Sequence, residues 1–136
     1  MAQIIAYLKF ENNCREAMSF YKKCFGGELT FQTVTGSAMD SPGIGDEGQK
    51  ILHSSLISDK VVLFASEMTE PGEELNSTYL WVNCNNDKEI RSIFAGLSEG
   101  GTITAELQHA YWGATFSAVN DKFGIKWYIS TLNLKE

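Results

Sequence analysis

The side chains in this sequence best suited to move a proton or hold a metal near neutral pH are His53 and His109, its two histidines. An unperturbed imidazole titrates at about 6.5, so either could serve as acid, base or ligand. His53 lies in a run, Ile51-Leu52-His53-Ser54-Ser55-Leu56-Ile57, that places His53 and Ser55 on one face of a strand. It is the catalytic candidate; its other reading is a polar wall residue hydrogen-bonded to a neighbouring strand. His109, in Gln108-His109-Ala110, is expected in a solvent-facing loop. Glu106 with both histidines would make a second-choice metal cluster, drawn from two separated places. Cys14, Cys24 and Cys84 are odd in number and lack C-x-x-C spacing, so neither a disulfide framework nor a thiolate zinc site is indicated. Cys14 and Cys24, in a helical pattern, read as small core residues, and a reducing cytoplasm is the expected setting.

Other chemistries lack their motifs. His53-Ser54-Ser55 is strand alternation rather than a nucleophile elbow. No G-x-G-x-x-G joins a strand to a helix, and the glycines between 43 and 48 precede a strand. The net charge of −6 argues against nucleic acid, whose affinity comes mainly from Lys and Arg. No run of about 20 apolar residues is present to span a membrane, and the first residues lack the basic and apolar regions of a signal peptide. The expected partner is a small molecule.

At 136 residues the chain is expected to form one domain, 1–136. Residues 4–10, IIAYLKF, have the β-branched and aromatic content of a strand. Asn13 then opens a helix, with Glu16 as its capping-box partner. Cys14, Ala17, Met18, Tyr21, Cys24 and Phe25 form its apolar stripe, and Gly26-Gly27 ends it. Residues 28–35 read as a strand and 36–50 as a loop that could act as a lid. Residues 51–57 and 60–66 form a hairpin, and 67–76, with Pro71-Gly72, a linker.

The plan then restarts. Tyr79-Leu80-Trp81-Val82 is laid over Tyr7-Leu8-Lys9-Phe10, and the Asn86 and Glu89 helix start over Asn13 and Glu16. Ile90, Ile93, Phe94 and Leu97 supply the second stripe, and Gly100-Gly101 the second stop. The closing hairpin around Asn120-Asp121-Lys122 echoes the one around Ser58-Asp59-Lys60. The organisation is strand, helix, three strands, twice, at a spacing of about 73 residues, with repeats at 3–66 and 77–132.

Each βαβββ unit must bury its helix stripe against one sheet face, which leaves the other face free. Two such sheets predict an α+β fold with a helix on the outer face of each and a cup between them. With Ala6, Leu8, Leu63, Ala65, Leu80 and Val82 beneath the helices, alternation sends Ile5, Tyr7, Phe64, Ser66, Tyr79 and Trp81 to the cup. Lys126 and Tyr128 share a face by the same rule. An aromatic concavity with a few polar groups suits a small-molecule ligand, and the ligand-binding candidates are Tyr7, Phe64, Tyr79, Trp81, Gln108, Trp112 and Tyr128. Trp112 could stack on a ligand or wedge the units together, while Trp127 alternates into the core. Lys126 and Arg15 could neutralise an anionic ligand or simply be solvated surface charges. The turn at Asp121-Lys122-Phe123-Gly124 reads as structural.

This sequence resembles the vicinal oxygen chelate superfamily of glyoxalases, bleomycin resistance proteins and dioxygenases, and within it the PhnB-like branch. The resemblance rests on Tyr7-Leu8, on Asn13 to Met18, on Phe25-Gly26-Gly27-Glu28-Leu29 and on the His53 strand. It continues through Leu107-Gln108, Trp112-Gly113, Phe116, Asp121-Lys122-Phe123-Gly124 and Trp127. It implies paired βαβββ units and a homodimer. It also implies, in the metal-dependent members, a divalent ion held by His, Gln or Glu at cup positions that correspond here to Ile5, Phe64, Tyr79 and Tyr128. Ile and Phe cannot ligate, and neutral tyrosine ligates poorly, so the expectation is no metal and no cofactor, with an atypical divalent ion at His53 as the minor alternative. The branch is also labelled a demethylubiquinone methyltransferase domain, which no nucleotide-binding motif supports. Two functions follow: a metal-free binding protein like the drug-sequestering resistance proteins, or a lyase, isomerase or transferase using His53.

Overall fold

The computed structural model describes residues 2–36, 48–59, 61–67, 76–110 and 113–131. It divides into two compact units, Met1–Leu75 and Asn76–Glu136. Unit 1 runs β1 (Ala6–Lys9), α1 (Cys14–Phe25), β2 (Glu28–Thr33), β3 (Ile51–Ile57) and β4 (Val62–Ser66). Unit 2 runs β5 (Tyr79–Asn83), α2 (Asp87–Ser98), β6 (Thr102–His109), β7 (Thr115–Asn120) and β8 (Lys126–Ser130). The strand orders are β1-β4-β3-β2 and β5-β8-β7-β6, with the outer pairs β1·β4 and β5·β8 parallel and the rest antiparallel. Two mixed sheets and two helices make the α+β fold of paired βαβββ units. Among the described residues no helix is long and apolar enough to cross a membrane. Most of the expected 36–50 loop and of the 67–76 linker lies outside the described residues.

The helices form where the apolar stripes predict. Cys14, Ala17, Met18, Tyr21 and Phe25 of α1 are buried with Leu8, Leu56, Leu63 and Ala65 of its sheet. Ile90, Ile93 and Leu97 of α2 are buried, as are Val119, Trp127 and Ile129 of its sheet. Each Leu- or Ile-sized side chain so removed from water contributes about 1.5–3 kcal/mol before entropy is charged against it. The paired glycines do more than stop a helix. A Cβ on Gly27 would collide with the Ile57 carbonyl oxygen, and one on Gly101 with that of Asn120. In each unit the second glycine lets the chain leaving the helix pass against the end of a central strand.

Register corrects the alignment of the two repeats. Tyr7 pairs with Phe64 and Trp81 with Tyr128. Phe10 N–H donates to the Ser66 carbonyl (3.0 Å) and Cys84 N–H to that of Ser130 (2.6 Å). Trp81, not Tyr79, therefore holds the place of Tyr7, and Tyr79 that of Ile5. Residue types alone favour superposing the tyrosines; ladder hydrogen bonds do not depend on residue type.

The two helices also start differently. The predicted capping box forms in α2, where Asn86 Oδ1 accepts from Glu89 N–H (2.8 Å) and Glu89 Oε1 from Asn85 N–H (2.9 Å). In α1 the Asn13 side chain caps nothing, because its backbone (φ −127°, ψ 24°) has left the extended region that aims a capping side chain. Glu67 takes over: its Oε2 accepts from Cys14 N–H (3.0 Å) and its Oε1 from Ile51 N–H (2.9 Å). Glu67, expected to open the linker, is thus buried. Replacing Asn86 by Ala is expected to cost about 1 kcal/mol in urea unfolding, and replacing Asn13 by Ala less than about 0.5 kcal/mol. Equal losses would contradict this assignment of caps.

A second asymmetry sits beneath the helices. Ser54, paired with Ala65, donates to the Ala65 carbonyl (3.2 Å) and lies 3.6 Å from Cys14 Sγ. Ser117 holds the matching place in unit 2, fully buried, and among the described residues its Oγ has no hydrogen-bond partner. Ser117→Ala removes a desolvated hydroxyl without losing a bond, so stability is expected to hold or rise by about 1 kcal/mol. A loss above about 1 kcal/mol in the same assay would show that the hydroxyl is satisfied.

Candidate functional site

The free face of each sheet is a patch of rings. In unit 1, Tyr7 of β1, Phe64 of β4 and His53 of β3 sit side by side on the face opposite α1. His53 meets Phe64 edge to face at 4.8 Å between centroids, and Tyr7 lies 6.0 Å from His53 and 6.3 Å from Phe64. Ser55 pairs with Phe64 on the same face, and its hydroxyl lies 2.9 Å from that of Thr30. Tyr7 is half exposed. Lys9 Nζ lies 5.7 Å from the Tyr7 ring centroid. No described residue hydrogen-bonds the His53 ring, so the reading of His53 as a strand-bonded wall residue finds no partner among them.

In unit 2, Tyr79 and Trp81 of β5, Tyr128 of β8 and Phe116 of β7 occupy the face opposite α2. Tyr79 and Tyr128 stack at 4.9 Å with an interplanar angle of 11°. Trp81 lies 5.8 Å from Tyr128 and 6.1 Å from Phe116, and Phe116 lies 5.6 Å from Tyr128. Tyr79 is 50% and Trp81 49% exposed, high for large rings and the property that makes them available to a ligand. Gln108 pairs with Phe116, which places it on the same face, but its amide donates back to the Glu106 carbonyl (2.9 Å). Trp112 lies outside the described residues.

The two trios are equivalent. Tyr7, Phe64 and His53 stand where Trp81, Tyr128 and Phe116 stand, so His53 takes the position of a phenylalanine. Phe116 is not among the ligand-binding candidates of the sequence, although its alternation with Ala118 and Asn120 in β7 puts it on that face once the Ala118–Tyr128 pairing is known. Ser66, expected on the free face of unit 1, is fully buried at the end of β4, as Ser130 is at the end of β8. His109 is not in a loop. It ends β6, paired with Thr115 and exposed, because pairing with β7 carries the strand past residue 107.

The positions that hold the ion in metal-dependent relatives do not suit one here. Ile5 and Phe64 carry no donor atom, the Phe64 ring is packed against Tyr7 and His53, and Tyr79 and Tyr128 are stacked on each other. Among the described residues no three His, Cys, Asp or Glu side chains converge on a metal-sized space. Cys14 is no nucleophile either: burial pushes its thiol up to about 11, outweighing the opposing Ser54 hydrogen bond, with the charge of Glu67 adding a smaller upward effect. Arg15 covers the Phe31 ring at 4.5 Å, on the helix-covered side of its sheet. A polar hollow of about 270 Å³ opens at the start of α1 between Asn12, Arg15, Glu16, Gln49 and Glu67. The Cys14 N–H that could hold an anion there is already taken by Glu67.

Comparison with known proteins agrees with this geometry. Residues 3–129 match the family model described as the Glyoxalase/Bleomycin resistance protein/Dioxygenase superfamily. Protein YjdN of Escherichia coli (strain K12) is 26% identical, over 93% of this chain and 92% of that protein. The crystal structure of protein PA1353 from Pseudomonas aeruginosa is 32% identical with a TM-score of 0.81, covering 95% of this chain and 96% of that one. A PhnB protein from Bacillus cereus shares the fold at a TM-score of 0.73 and 22% identity, over 95% of this chain and 98% of that one. The chain belongs to the Glyoxalase/Bleomycin resistance protein/Dioxygenase superfamily.

Proposed function

We propose that this protein binds a small molecule on the aromatic faces of its sheets, without the superfamily's divalent ion and without catalysing a reaction on it. The observation that carries this reading is the ring cluster of Tyr79, Trp81, Phe116 and Tyr128, in which Tyr79 and Trp81 are half exposed and Tyr79 and Tyr128 stand at positions where the resemblance to metal-dependent relatives calls for ligating atoms. Exposed rings gain by stacking on a planar ligand, since burying their faces removes apolar area from water while leaving the tyrosine hydroxyls wet. Calorimetric titration with neutral 2-naphthamide is expected to give saturable binding that falls at least about fivefold in Trp81→Ala. Equal binding by the two proteins would overturn this use of the face. The protein is further proposed to be a cytoplasmic homodimer; a monomer by light scattering at micromolar concentration would refute the dimer.

A second reading is favoured by His53, whose ring stands in an aromatic patch with no hydrogen bond from a described residue and so keeps its nitrogens available to a ligand. On that reading the protein is a lyase, isomerase or transferase. Metal analysis of protein purified without chelator separates the two. One stoichiometric divalent ion, lost in His53→Ala, would replace the binding reading with the enzymatic one. Metal-free protein whose ligand binding survives His53→Ala would count against the enzyme.

A further inference from the structure

We infer that the ligand of the unit 2 face is an aromatic acid, a planar ring bearing a carboxylate or a similar anionic group. This rests on the aromatic-face reading above and adds the charge of the ligand. Lys126 begins β8 directly opposite Tyr79, and its Nζ lies 5.2 Å from the Tyr79 ring centroid. Its side chain is half-buried, and among the described residues no carboxylate lies within ion-pair distance of it. The chain carries a net charge of −6, so this cation is not part of a generally basic surface.

Nor does the strand require a lysine there. Val62, paired with Ile57, holds the same ladder position in unit 1 that Lys126, paired with Asn120, holds in unit 2. Covering the rings with a neutral ligand would strip water from an ammonium that has no counter-charge, which is costly. A cationic ligand would meet the same charge repelled, beside a tyrosine ring already approached by Lys126. An anion held at Nζ while its ring stacks on Trp81 or the tyrosine pair removes both penalties and adds a charge-assisted hydrogen bond. Asn120, across the ladder from Lys126, places a carboxamide beside the same end of the face.

The test is calorimetric titration of wild type and Lys126→Met with 2-naphthoate and 2-naphthamide, which differ in charge and little in shape. Methionine keeps most of the stem and removes the ammonium. Wild type is expected to bind the naphthoate about five- to tenfold more tightly, and Lys126→Met to lose that preference while binding the amide at least as tightly as wild type, since no ammonium then has to be stripped of water. Equal affinities in wild type, or a preference that survives Lys126→Met, would overturn the acid assignment and leave the aromatic-face reading standing. Failure of both probes to bind wild type would overturn the aromatic-face reading and the acid assignment with it.

Discussion

Asp121→Ala is expected to lower the free energy of unfolding by about 3–4 kcal/mol and the melting temperature by roughly 10 °C, a large loss for one side chain. Asp121 is 5% exposed, so whatever it leaves unpaired stays unpaired. Its Oδ1 accepts from Phe123 N–H (2.8 Å) and Ile125 N–H (3.1 Å), and its Oδ2 from the indole N–H of Trp127 (2.8 Å). Trp127 is the largest fully buried side chain among the described residues, and its ring nitrogen needs an acceptor at that depth. One carboxylate therefore closes the β7–β8 turn and satisfies the core of unit 2. The same hairpin carries Phe116, Lys126 and Tyr128, so the 2-naphthamide binding proposed for this face should weaken in parallel. Asp121→Asn keeps the size but sets an amide N–H₂ against one group of donors, and about half the loss is expected. Urea unfolding measures both variants. A loss below about 1 kcal/mol for Asp121→Ala would mean that these donors find other acceptors.

Glu67→Ala is expected to cost about 2–3 kcal/mol, and Glu67→Gln less, because the amide retains only one acceptor oxygen for two backbone donors. The carboxylate joins the first turn of α1 to the start of β3, while its own N–H donates to the Ile51 carbonyl (2.9 Å). It also places a negative charge at a helix N-terminus, where the backbone dipoles favour it. Unit 2 divides the same work between two residues. Thr131 Oγ1 accepts from Thr115 N–H (3.0 Å) and Thr131 N–H donates to the Thr115 carbonyl (3.0 Å), while Asn86 caps α2. Thr131→Ala should therefore cost about 1 kcal/mol, well under the cost of Glu67→Ala. Amide hydrogen exchange at Cys14 and Ile51 gives the local readout, and unchanged protection of both in Glu67→Ala would sink the assignment.

Much of the fold is legible in the residue pattern. The expected strand at 51–57 is β3 to the residue, the helix stripes are buried except for Cys24 and Phe94, which stay part-exposed at their margins, and both hairpins close at their Asp-containing turns. These features depend on periods of two or about 3.6 residues and on turn chemistry, all of which are local. The aromatic faces are partly legible for the same reason, since Tyr7, Phe64, Trp81 and Tyr128 each alternate away from a helix-facing neighbour. Phe116 is not legible in this way, because the face of β7 depends on its register with β8. Nor is Glu67, because a glutamate before Pro71-Gly72 looks like linker, and only its contact with Cys14 shows otherwise.

By itself, then, the sequence determined a doubled βαβββ plan, the stripe each helix buries and a run of rings on the strands opposite. The tertiary structure decided which of those rings meet, that His53 stands where unit 2 has Phe116, and that Lys126 stands opposite Tyr79 with no described carboxylate as a partner. The physical reason is the range of the forces. Alternation and helical period are set by neighbours a few residues away. Ladder register and buried carboxylates join residues distant in sequence, and their geometry exists only once the sheets have closed.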